Sequence, residues 1–129
     1  MGTDDIATSR TAQEALRHTE VRYRRLFQTA KDGILILDAL TGKIIDANAF
    51  MEGLVGLEAG ELLGKQLFEI GMFKDIEHNK AAFRELQKNR YIRYEHLPVR
   101  NQRGEMVEVE FIANVYDEDG RLVAQCNVR

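Results

Sequence analysis

The chain has 129 residues, 44% hydrophobic and 30% charged, which suits one globular domain with a single core and gives no support to a disordered or fibrous class. A net charge of −3 supplies no basic patch for nucleic acid. The longest strictly apolar run, Ile34 to Leu37, is far too short to insert in a membrane, the first residues lack the parts of a signal peptide, and one cysteine excludes an internal disulfide, so the chain reads as soluble and cytoplasmic.

Residues 1–10 are polar and mixed and read as a flexible N-terminus. Thr11 and Glu14 fit a capping box, in which hydroxyl and carboxylate each satisfy a free backbone N–H, so the spacing predicts an amphipathic helix over 11–31 that Lys31-Asp32-Gly33 ends. Ala12, Leu16, Thr19, Tyr23, Leu26 and Ala30 recur at alternating spacings of four and three, roughly two and a half heptads of seam. Such a helix can lie on its own domain, pair with a second copy, or do both. Gly33–Asp38 is apolar on both faces and predicts a central strand with both sides covered. After the Thr41-Gly42 turn, Ile44 to Ala47 leads to Asn48, placed to N-cap a helix over Ala49–Val55 that Gly56 closes in a left-handed conformation. Glu58–Leu63 with Gly64, and Leu67–Ile70 with Gly71, read as short helical pieces. A longer helix from about Lys74 to Lys88 places Ile76, Phe83 and Leu86 on one side.

In the closing strands Val107, Val109, Phe111, Ala113 and Val115 share a core face, while Glu108, Glu110, Ile112, Asn114 and Tyr116 share the other. If the turn around Asn101–Gly104 pairs Val99 with Val107, then Leu97 meets Val109 and Glu95 meets Phe111; on the other face Tyr94 meets Ile112 and His96 meets Glu110. Pro98 lacks a donor and belongs in an edge strand. An Asp119-Gly120 turn leads to a last strand, Leu122 to Arg129.

This β-β-α-α-α-α-β-β-β order, with the stretches Asp32 to Asp38, Ile45 to Asn48, Glu61 to Lys65 and Gln125 to Arg129, resembles a PAS (Per-Arnt-Sim) sensory domain from about Tyr23 onward, of the bacterial S-box type found before histidine kinases and diguanylate cyclases. The resemblance implies an α+β PAS fold over 32–129: a five-stranded antiparallel sheet with helices on one face, preceded by the amphipathic helix. It implies a sensory and coupling module, not an enzyme, that forms a homodimer and passes a signal to a covalently linked output domain. In the family the last strand runs into an Asp-Ile-Thr connector, and here the chain stops at Arg129, before that point. The rival reading is a ligand-free dimerisation and interaction spacer.

PAS domains hold haem, flavin, a small metabolite or nothing. Leu67 stands where the flavin photosensors carry their reactive cysteine, and the inward positions Val99, Val109 and Val128 offer no amide to a flavin ring. His78 is on the helix that carries the haem ligand in relatives, but at about 100° per residue it falls roughly 100° from the centre of the apolar face. Both cofactors are disfavoured and none is expected. No metal-ligand spacing, nucleophile set or phosphate loop appears. Cys126 reads as a small buried hydrophobe and His96 as a half-exposed partner of Glu110. What remains is a small apolar pocket between sheet and helices, lined by Leu67, Phe68, Phe73, Phe83, Leu86, Val99, Val109, Phe111 and Cys126, unless those side chains fill the space themselves. Arg93 and Glu95 would orient a ligand there, provided that no bulge intervenes. Outside, Tyr94, Ile112 and Tyr116 are expected together as a docking face for the helix seam Leu16, Thr19, Tyr23 and Leu26.

Overall fold

The computed structural model describes residues 2–73 and 76–129, with side chains for 10–73 and 76–129. In chain order the elements are α1 (Gly2–Thr29), β1 (Gly33–Asp38), β2 (Ile44–Ala47), α2 (Ala49–Val55), α3 (Ala59–Leu62), a 3-10 turn (Leu67–Ile70), α4 (Ile76–Asn89), β3 (Tyr91–Arg100), β4 (Met106–Glu118) and β5 (Arg121–Val128). The sheet is five-stranded in the order β2-β1-β5-β4-β3, antiparallel throughout, so β3 with its Pro98 is an edge. Lys74, where the sequence begins the last helix, lies outside the described residues. Helix α1 starts at Gly2, nine residues before the capping box; no glycine or proline interrupts 3–29, and extending a helix costs far less than nucleating one.

The inner face of the sheet carries the main core, in which Leu35, Leu37, Phe111, Ala113, Cys126 and Val128 pack against Met51, Val55, Leu62, Ile70 and Leu86. Strand β1 buries both faces, as its unbroken apolar run predicts. Ile36 on the outer side packs with Val123 and with Phe27 from the last turn of α1. Gly33 pairs with Val128 at the edge of this region, where an added Cβ would meet the Met51 sulfur at 2.8 Å.

Asn48 organises the corner where α1 ends. Fully buried, it caps α2 by accepting from Met51 N at 3.1 Å, accepts from Ile34 N at 2.9 Å, and donates from Nδ2 to the carbonyls of Phe27 and Asp32, each at 2.9 Å. One side chain thus ties α1, β1 and α2 together. At the same corner Arg129 Nε lies 3.2 Å from the Asp32 carboxylate, joining the end of β5 to the start of β1.

The β3/β4 register agrees with expectation from Val99↔Val107 to Leu97↔Val109 and then departs from it. A bulge between Tyr94 and Leu97, with His96 at φ 58, makes Tyr94 the partner of Phe111 and Arg93 the partner of Ile112. Extra residues in one strand reverse the facing of everything beyond them. The sheet therefore turns Tyr94 inward and puts Arg93 on the outer face.

Candidate functional site

A cleft of about 860 Å³ runs between α4 and the edge strand β3. Helix α4 supplies His78, Ala81, Ala82 and Glu85; β3 supplies Tyr94, Leu97, Pro98 and Arg100; Phe68, Gly71, Phe73 and Met106 complete the lining. Gly71 sets one end. Its carbonyl accepts from Arg100 N at 3.0 Å, Met72 bridges Val99, and an added Cβ would come within 2.0 Å of the Arg100 carbonyl, so only glycine lets this segment lie on β3. Its φ of 92 makes the same demand.

Across the cleft the Tyr94 hydroxyl donates to Glu85 Oε2 at 2.9 Å, joining β3 to α4. Burial, reinforced by the hydrogen bond to that carboxylate, pushes the phenol up to about 12, so it is a protonated donor at neutral pH. The chemistry on offer is recognition: apolar and aromatic walls with a phenol–carboxylate pair, a guanidinium and an imidazole at the margins. Among the described residues no group of three or more His, Cys, Asp or Glu side chains is placed to hold a metal.

Behind the cleft the expected pocket is nearly closed. Leu67, Phe73, Phe83, Leu86 and Phe111 surround a cavity of about 20 Å³, room for roughly one water, with Leu37, Ile92 and Asn79 beside them. Phe68 and Phe73 line the outer cleft, while Val99, Val109 and Cys126 are buried in the core and border neither space. Burial drives the Cys126 thiol pKa upward, which leaves it a protonated apolar group. Arg93 and Glu95 are excluded from the pocket by the bulge: they pair with each other at 3.2 Å on the outer face, and Arg93 also reaches Glu110 at 3.6 Å. Tyr94 moves the opposite way, off the docking face and into the cleft. Asn79 was missed, although Ile76, Asn79, Phe83 and Leu86 repeat at three, four and three residues and so share a helical face.

A family model for the PAS fold matches residues 22–128. This chain belongs to the PAS family. Among solved structures this PAS domain is similar to one from an HTR-like protein of Haloarcula marismortui, at 21% identity and TM-score 0.82 over 93% of this chain and 98% of that one. It is also similar to a domain of a sensory box sensor histidine kinase/response regulator from Geobacter sulfurreducens (25%, TM-score 0.70, covering 86% and 95%), and to a PAS domain from a two-component sensor histidine kinase (16%, 0.72, 88% and 97%). No curated protein sequence matches it. The chain is thus a PAS sensory signalling module, and relatives of its fold come from sensor histidine kinases. No helix among the described residues is long and apolar enough to cross a membrane.

On the outer face of this PAS domain, α1 docks through Phe27, 4% exposed and stacked on Tyr23 at 5.6 Å. The expected seam is one residue out of phase with that anchor: Leu16, Tyr23 and Leu26 are 61%, 48% and 65% exposed, and Thr19 is exposed with its hydroxyl donating to the Ala15 carbonyl. Tyr23, Leu26, Phe27 and Tyr116 border a groove of about 170 Å³ over Ile34 and Ile36. Ile112 lies elsewhere on that face, opposite Arg93 and Asn127. His96 is exposed and pairs through Nδ1 with Glu108 at 2.5 Å, not with Glu110.

Proposed function

We propose that this PAS domain binds a small molecule in the cleft between α4 and β3 and, as a cytoplasmic homodimer, passes the change through its terminal segments to a linked histidine kinase or diguanylate cyclase output domain. The cleft carries the reading. Its volume of about 860 Å³ falls in the range of small-ligand sites, and its apolar lining with a few convergent polar groups is the usual composition of one. The bulge at Glu95–His96 and Pro98 blunt the β3 edge, which disfavours an added peptide strand as the occupant. Phe111 in the cavity wall pairs with Val128, and the adjoining Arg129 is bonded to Asp32, so repacking near the cleft has a short route to both terminal segments. The exposed Leu16, Tyr23 and Leu26 supply the apolar surface for a second copy of the chain.

Mass spectrometry of small molecules released from purified protein tests the reading. One molecule at about one equivalent, lost when Leu97→Trp fills the cleft, is expected. The inner cavity of about 20 Å³ favours a second reading, a spacer whose core is already filled. Protein that is repeatedly empty yet dimeric would select the spacer.

A further inference from the structure

Phe73 is the wall between two spaces, since its side chain borders both the outer cleft and the inner cavity. Its φ of 57 puts a bulky residue in the left-handed region, where such side chains are genuine outliers. The chain just before it is clamped to β3 by the Gly71–Arg100 hydrogen bond and the Met72–Val99 bridge, so the unusual conformation falls where the backbone leaves the sheet edge. Edge-on contacts hold the phenyl ring in place, to Tyr94 and to Phe111, both with centroids 5.6 Å apart. A second aromatic ring reproduces such contacts. Behind the ring Leu37, Leu67, Leu86 and Ile92 are apolar, and Asn79, which donates to Gln66 Oε1 at 3.1 Å, is the polar side chain beside them.

We propose that Phe73 is a removable wall, and that the ligand is a neutral aromatic molecule whose ring displaces the phenyl and takes its place between Tyr94 and Phe111, with a polar substituent directed at Asn79. The proposal rests on the cleft being the ligand site and deepens that reading by naming the ligand class. Neutrality follows from the lining: a charge carried past Phe73 loses its water among aliphatic side chains, while the ionisable groups His78, Glu85 and Arg100 border the outer cleft. An aromatic ring follows from the two edge-on partners it inherits. The left-handed backbone makes the closed arrangement less favourable than its ring contacts alone suggest, which lowers the cost of opening.

The test is an NMR titration of the full chain with indole as the probe, following methyl and amide signals. In the wild type, Leu37, Leu86 and Ile92 of the interior should shift together with Leu97 and Met106 of the cleft. Phe73→Ala, with no ring to move, should bind indole about tenfold more tightly or better, because apparent affinity is reduced by the fraction of protein in the competent state. Phe83→Ala opens similar space on another wall of the cavity but keeps Phe73, and should not match that gain. Wild-type shifts confined to Leu97 and Met106 would overturn the proposal while leaving the cleft as a ligand site. No shift in the wild type or in Phe73→Ala would also overturn the proposal, and the mass spectrum of released molecules then decides separately whether the cleft is a ligand site.

Discussion

The side-chain amide of Asn48 donates to the carbonyl of Phe27 across 2.9 Å, so the last turn of α1 is bonded to a side chain buried completely inside the domain. The same amide holds Asp32 O, and its oxygen holds Ile34 N and Met51 N. Removing it leaves four backbone groups without this partner at one corner.

Asn48→Ala should therefore cost about 2–4 kcal/mol, because buried groups left unsatisfied carry their full desolvation penalty. Thermal denaturation should show a Tm lower by roughly 10 °C. Hydrogen exchange should rise selectively in residues 22–30, where α1 meets the sheet; uniform loss of protection would mean that Asn48 supports only the global fold.

Phe27 and Leu26 are neighbours with opposite roles. Phe27→Ala empties the small outer cluster around Ile36 and Val123 and should lower stability by about 3 kcal/mol, the low end for a large core truncation. Leu26→Ala, at a side chain 65% exposed, should leave stability within about 0.5 kcal/mol. The proposed homodimer predicts that Leu26→Ala nevertheless shifts light-scattering mass toward monomer. An unchanged mass would remove α1 from the interface.

The exposed pair His96–Glu108 raises the histidine pKa, chiefly through the hydrogen bond to the carboxylate. The protonated imidazole is favoured in the folded state, so the pair's contribution is complete below the unfolded value of about 6.5 and is lost as pH rises through the higher folded value. An NMR titration of His96 should show that elevated midpoint, and Glu108→Gln should return it toward the unfolded value. The register predicted from sequence assigns this effect to Glu110 instead, so Glu110→Gln is the control.

Tyr94 offers a test of the cleft itself. Its phenol should ionise near 12, held up by burial and then by Glu85. The folded state favours the neutral form, so the contribution is complete below the unfolded value of about 10 and fades as pH climbs from there toward 12. Burial also raises Tyr23 and Tyr116, so in an ultraviolet titration Tyr94 is identified as the late-ionising component that Glu85→Gln brings down.

Much of this architecture is legible in the residues because it rests on short-range rules. The double-faced apolar run of β1, the Asn48 cap, the Gly56 closure and the alternation from Val107 to Val115 each follow from local periodicity or from one backbone demand. The bulge is not legible, because Glu95 and His96 are polar in either register and leave no break in an apolar pattern. That single irregularity moved Arg93, Glu95 and Tyr94 to faces opposite to those expected. Phe27 escaped for a different reason: from Tyr23 the heptad spacing continues to Leu26, whereas the contact with the sheet continues to Phe27, on which Tyr23 stacks. The cleft forms between α4 and β3, which are consecutive in the chain, but Phe68, Gly71, Phe73 and Met106 close it from other segments, a convergence that no local pattern encodes.

Because Gly33 lies opposite Val128 in adjacent antiparallel strands, the first and last positions of the sheet core are separated by only about 5 Å. Segments attached on either side of the core therefore share one pivot, and a twist of β5 against β1 turns them as a pair. In the proposed signalling role, the domain would serve as a swivel on which both flanking segments are mounted.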